Sequence, residues 1–131
     1  MEKRVFDLEE RLINFSVQVL DLAEQLPNTY AGKHLAGQLI RSGTAPALNY
    51  GEAQGAESRN DFIHKMKVCL KELRETQICL KIIQRKPMLE SEDLESIIGE
   101  CNQLVAIFTS SVKKAAETAK PKDVKPQNRK M

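Results

Sequence analysis

Apolar residues recur at Val5, Leu8, Leu12, Phe15, Val19, Leu22 and Leu26, with spacings that alternate between three and four residues. That alternation lays one stripe along an α-helix and predicts a long amphipathic rod. Phe6, Ile13 and Leu20 widen the stripe by a row into a bundle-type face. Pro27 disfavours the α conformation at Leu26 and Asn28 favours a turn, so the first helix is expected over about 3–26. The same period returns at Phe62, Met66, Cys69, Leu73, Thr76, Leu80 and Ile83, flanked by Ile63, Leu70 and Ile78. Ser58 or Asn60 can cap this helix, Asp61 suits its first turn, and Pro87 ends it, giving about 60–86. A further seam runs through Leu94, Ile97, Cys101, Leu104, Phe108 and Val112, beside Ile98 and Val105. Ser91 can cap it, with Glu92 and Asp93 in the first turn, for a helix over about 91–116.

The segment between the first and third stripes differs, because Gly32, Gly37, Gly43, Pro46, Gly51 and Gly55 each weaken a helix interior. Projected at about 100° per residue it still separates into two faces. Leu35, Ala36, Leu39, Ile40, Gly43, Pro46, Ala47, Tyr50 and Ala53 fall on one; Gln38, Arg41, Ser42, Ala45, Asn49 and Glu52 fall on the other. This predicts a second helix, about 30–56, kinked near Pro46 and poor in intrinsic propensity. The fold expected is all-α, an antiparallel up-down-up-down four-helix bundle occupying residues 1–115. Beyond it the apolar period fades and Pro121 and Pro126 arrive, so 117–131 is expected to be a disordered tail.

Composition changes this picture in two places. The chain has 131 residues, 41% apolar, 5% aromatic and 29% charged, which suits one helical domain and excludes collagen-like and disulfide-rich classes. Its net charge of +2 is uneven. From Lys113 onward seven cations (Lys113, Lys114, Lys120, Lys122, Lys125, Arg129 and Lys130) face only Glu117 and Asp123, a balance of +5, so residues 1–112 sum to −3. An acidic body with a basic end is not the footprint of a dedicated DNA-binding domain. Cys69, Cys79 and Cys101 are odd in number and lack a C-x-x-C spacing, as reduced thiols in a cytoplasmic protein would be. The acidic residues near the N-terminus do not fit a signal peptide, and no apolar run is long enough for a membrane span, so no membrane partner is expected.

Reaction chemistry finds little support. Asp61 and His64 share a helix face, but a carboxylate-bridged di-metal site needs a matching pair elsewhere, and His34 has no acid three residues before it. Cys69 and Cys101 lie on seams, where a thiol acts as a small hydrophobe, and Cys79 has no histidine one turn away. Phosphate-cradling and hydrolase motifs are missing, so no catalytic residue, metal, cofactor or small-molecule substrate is expected. The polar face of the second helix carries more information. Arg41 and Glu52 project about 20° apart but lie about 16 Å apart along the axis, so they cannot pair in one straight helix and each needs a partner from another element.

Residues 35–83 resemble the bacterial four-helix bundle family, also called 23S ribosomal RNA intervening-sequence proteins and related to the accessory variability determinant of diversity-generating retroelements. The resemblance rests on a Q-L-x-R-S run, a small residue and Pro before an Asn and a Glu step, then a helix opening near an aromatic and carrying x-E-L. Here these are Gln38, Leu39, Arg41, Ser42, Pro46, Asn49, Glu52, Phe62, Glu72 and Leu73. Thr44-Ala45 and Tyr50-Gly51 depart from the usual pattern. The resemblance implies a ring-like homopentamer with the second-helix signature near subunit contacts and no known reaction. The expectation is therefore a non-enzymatic oligomeric module that associates with RNA or a ribonucleoprotein, the alternative being a protein–protein adaptor or scaffold. Gln38, Arg41, Ser42, Asn49 and Glu52 are the candidate interhelix or subunit contacts; the seven C-terminal cations are the candidate nucleic-acid contacts.

Overall fold

The computed structural model describes residues 7–124, and its helices begin where the sequence offers a side-chain oxygen to free amides. Thr29 Oγ1 accepts from Gly32 N at 3.0 Å, Ser58 Oγ from Asp61 N at 3.1 Å and Ser91 Oγ from Leu94 N at 3.3 Å. They open three of the four helices: α1 Leu8–Ala23, α2 Tyr30–Gln54, α3 Arg59–Arg85 and α4 Glu92–Val124. Of the two caps considered for α3, Ser58 is the one used. Val5 and Phe6, assigned to the first stripe, lie outside the described residues.

Two helix ends differ from expectation for identifiable reasons. α1 stops at Ala23 rather than Leu26, because the last turn tightens: Gln25 N donates to Leu22 O and Leu26 N to Ala23 O. α4 continues to Val124 instead of stopping near residue 116. Ala115, Ala116 and Ala119 favour this continuation, and residues 125–131 of the expected tail lie outside the described residues. α2 runs as one helix through Pro46.

Consecutive helices pack side by side, α2 most extensively against α3, and α4 returns to meet α1 along a narrower seam. Diagonal pairs do not approach this closely among the described residues, so the four rods form a square antiparallel bundle. Its core is the set of stripes read from periodicity: Leu12, Phe15, Val19 and Leu22; Leu39; Leu73, Leu80 and Ile83; Leu104 and Phe108, all fully buried. Tyr50 meets Phe108 edge to face at 6.0 Å between ring centroids. Periodicity assigns Ile13, Leu20 and Ile78 to widened core stripes, but they are exposed. An adjacent row on a helix lies far enough round the cylinder to miss a core already filled by the main seam.

α2 approaches α1 closely where it lacks a side chain. A Cβ at Gly43 would lie 2.6 Å from Val19 Cγ1, whereas one at Gly37 would meet nothing within 4 Å. Gly43→Ala is therefore expected to destabilise the fold by about 1–3 kcal/mol through overpacking. Gly37→Ala should instead stabilise by about 0.4–1 kcal/mol by restricting the unfolded chain. Thermal melts of both variants measure the contrast.

Candidate functional site

On the polar face of α2, Arg41, Ser42 and Glu52 find partners on α3, whereas Gln38 and Asn49 bond within α2. Arg41 is the centre: Nη1 donates to Glu72 Oε1 at 3.3 Å, and Nη2 to Glu75 Oε1 at 2.7 Å and to Gln38 Oε1 at 3.3 Å. Glu72 and Glu75 are one turn apart on α3, so a single guanidinium reaches both. Glu52, farther along α2, accepts from Lys65 Nζ at 2.7 Å. Arg41 and Glu52 are thus satisfied separately. Ser42 is buried, and its hydroxyl shares a 2.9 Å hydrogen bond with Thr76, whose Oγ1 also reaches the Glu72 carbonyl at 2.8 Å. Asn49 turns back along its own helix, donating from Nδ2 to Ala45 O at 3.0 Å.

Electrostatics follow burial. The Arg41 side chain is 55% exposed and Glu72 only 11%, so the pair straddles the surface and is partly screened by solvent. Hydrogen bonding to Arg41 holds the Glu75 carboxyl below its ordinary range and raises the Arg41 guanidinium further above its own. Glu72, Glu75 and Lys65 are partners that single-helix periodicity could not reveal. The signal available was Glu72 and Glu75 three residues apart on the helix after Arg41.

Arg41 also stands at the edge of an open groove of about 830 Å³ between α2 and α3. Leu35, Leu70, Ile78 and Ile82 form its apolar floor and Lys67, Lys71 and Arg74 its basic wall. On the opposite flank of the bundle Arg11 ties α1 to α4, donating from Nε to Glu100 Oε2 at 2.7 Å and from Nη2 to Gln103 Oε1 at 2.7 Å.

The other candidates lie apart from this groove. Lys113 and Lys114 are exposed on α4. Lys120 and Lys122 fall in its last turns, and Lys125, Arg129 and Lys130 lie outside the described residues. His64 is exposed, and Asp61 Oδ2 accepts from Glu57 N at 3.4 Å. Among the described residues no three His, Cys, Asp or Glu side chains converge as metal ligands, and no helix is long and apolar enough to cross a membrane. All three thiols are buried and donate across helix seams, Cys69 to Pro46 O, Cys79 to Leu35 O and Cys101 to Leu73 O. Burial pushes Cys69 and Cys101 up to about 12 and raises Cys79 as well, so none is an activated nucleophile.

Two measurements check this electrostatic picture. Because the folded-state pKa of Glu75 lies below its unfolded value, the Arg41 pair contributes fully above the ordinary carboxylate range and is lost as pH falls through the depressed value. Glu75→Gln should therefore melt lower than the native protein at pH 7, the difference closing as acid is added. In alkylation by iodoacetamide near neutral pH, the folded protein should leave Cys69 and Cys101 unmodified while the denatured chain takes up label at all three cysteines.

Residues 6–110 match the family of 23S rRNA-intervening sequence proteins. A solved structure from Bacteroides thetaiotaomicron, described as a protein with unknown function from the S23 ribosomal protein family, aligns with a TM-score of 0.74 at 31% identity. The alignment covers 80% of this chain and 97% of that one. No curated protein matches the chain.

Proposed function

The chain belongs to the 23S rRNA-intervening sequence protein family, and on that footing we propose that it is a non-enzymatic, self-assembling helical module of the cytoplasm that associates with RNA or a ribonucleoprotein. The observation that carries the assembly is apolar surface outside the core. Ile13, Val17 and Leu20 on α1, and Ile78 and Ile82 on α3, are exposed rows at helical spacing that a solitary bundle leaves in water. The family resemblance supplies the copy number, a homopentamer. Gln38, Arg41, Ser42, Asn49 and Glu52 belong to the α2 side of the seam beside the groove, which supports a subunit contact next to this signature.

RNA association is assigned to the C-terminal cations. Lys113 and Lys114 start a segment carrying +5, and its remaining cations are Lys120, Lys122, Lys125, Arg129 and Lys130. Five such segments on one assembly turn weak phosphate contacts into avidity, and each phosphate contact adds to the salt dependence. The buried, unactivated thiols support a role without nucleophilic catalysis. A second reading, a protein–protein adaptor or scaffold without nucleic acid, is favoured by the −3 balance of residues 1–112 and by the apolar floor of the groove.

Light scattering tests the assembly: five copies of the 14.8 kDa chain should give about 74 kDa, and a 14.8 kDa species would remove the oligomeric reading. Mobility shift of single-stranded RNA tests the partner. Binding is expected at about 50 mM salt, falling steeply by about 200 mM and weakening when Lys113 and Lys114 are both changed to Glu. No shift at the lower salt would leave the adaptor reading.

A further inference from the structure

The stripe on α1 and the groove between α2 and α3 have opposite charge and matching length. Ile13, Val17 and Leu20 project from the side of α1 away from the core, and Val17 is 51% exposed. The charged neighbours of that stripe are Glu9, Glu10, Asp21 and Glu24, all exposed. The one cation within α1, Arg11, is held by Glu100 on the α4 side. The groove is the converse. Its floor includes Ile78, 55% exposed, and Ile82, and its wall is Lys67, Lys71 and Arg74. None of these three cations is in an ion pair among the described residues, and the one acid on the groove, Glu75, is taken by Arg41. From Glu9 to Glu24 is fifteen residues, about 22 Å of helix; from Lys67 to Ile82 is the same.

We infer that the α1 stripe of one copy of this chain docks in the α2–α3 groove of the next, with acids meeting lysines along the rim. This inference rests on the self-assembly proposed above and specifies its geometry. Apolar rows leave water together, which supplies the attraction, while the complementary rims set orientation and disfavour stripe-to-stripe and groove-to-groove pairing by like-charge repulsion. The two surfaces lie on different flanks of one bundle, so the contact is heterologous. Each copy offers one stripe and one groove, and repetition closes into a ring when the rotation per copy divides a full turn.

Two variants at exposed positions break the two halves separately. Val17→Arg places a cation where it faces the basic wall; Ile78→Asp places an acid where it faces the α1 acids. Neither touches the core, and circular dichroism melts verify that both fold. Light scattering of each variant alone should show the mass falling to the 14.8 kDa of one chain. An equimolar mixture should recover at least twice that mass. There the intact groove of one variant meets the intact stripe of the other, and the cation introduced on the stripe can pair with the acid introduced in the groove. Either variant keeping the native mass alone, or a mixture that stays monomeric, overturns the docking while a native oligomer leaves the proposed assembly standing. A native chain that is itself monomeric overturns both.

Discussion

Two consecutive small residues, Ser42 and Gly43, fix how close α2 lies to its neighbours. Gly43 admits the Val19 side chain of α1, and Ser42, buried, meets the Thr76 hydroxyl of α3. One turn on, the Pro46 carbonyl takes the Cys69 thiol. A helix carrying Gly37, Gly43, Pro46 and Gly51 loses propensity at each of them, so it persists because both flanks are occupied. The polar face then follows as a consequence. With α2 and α3 this near, Arg41 reaches Glu72 and Glu75, Glu52 reaches Lys65, and the outer edge of the seam opens into the groove.

That order of causes links fold to proposed function. The tight inner seam leaves the larger side chains of α2 and α3 (Leu35, Leu70, Ile78 and Ile82) to line the outside. α1, already committed to the core through Leu12, Phe15, Val19 and Leu22, presents its second row outward. These outward rows are the surfaces on which the proposed contact between copies rests.

Legibility in the sequence tracks the length scale of each feature. The seams of α3 and α4 repeat strictly every three or four residues, so Leu73, Leu80, Leu104 and Phe108 are readable as core. The need of Arg41 and Glu52 for separate partners follows from axial rise alone, yet the partners are not readable, because the register between two helices depends on where Gly43 and Ser42 let them settle. Ile13, Leu20 and Ile78 are misplaced by periodicity, since a periodic pattern marks a face as apolar without saying what covers it. The basic wall at Lys67, Lys71 and Arg74 is hidden by arithmetic: a sum of −3 averages it with the acids of α1 and α4.

Amide hydrogen exchange resolved along the chain addresses the dependence of α2 on both neighbours most directly. If that dependence holds, amides in the middle of α2, around Leu39 to Ala47, exchange only with the opening of the whole bundle, at the same free energy as the cores of α1 and α3. An α2 that loses protection on its own while the other helices remain protected would contradict it.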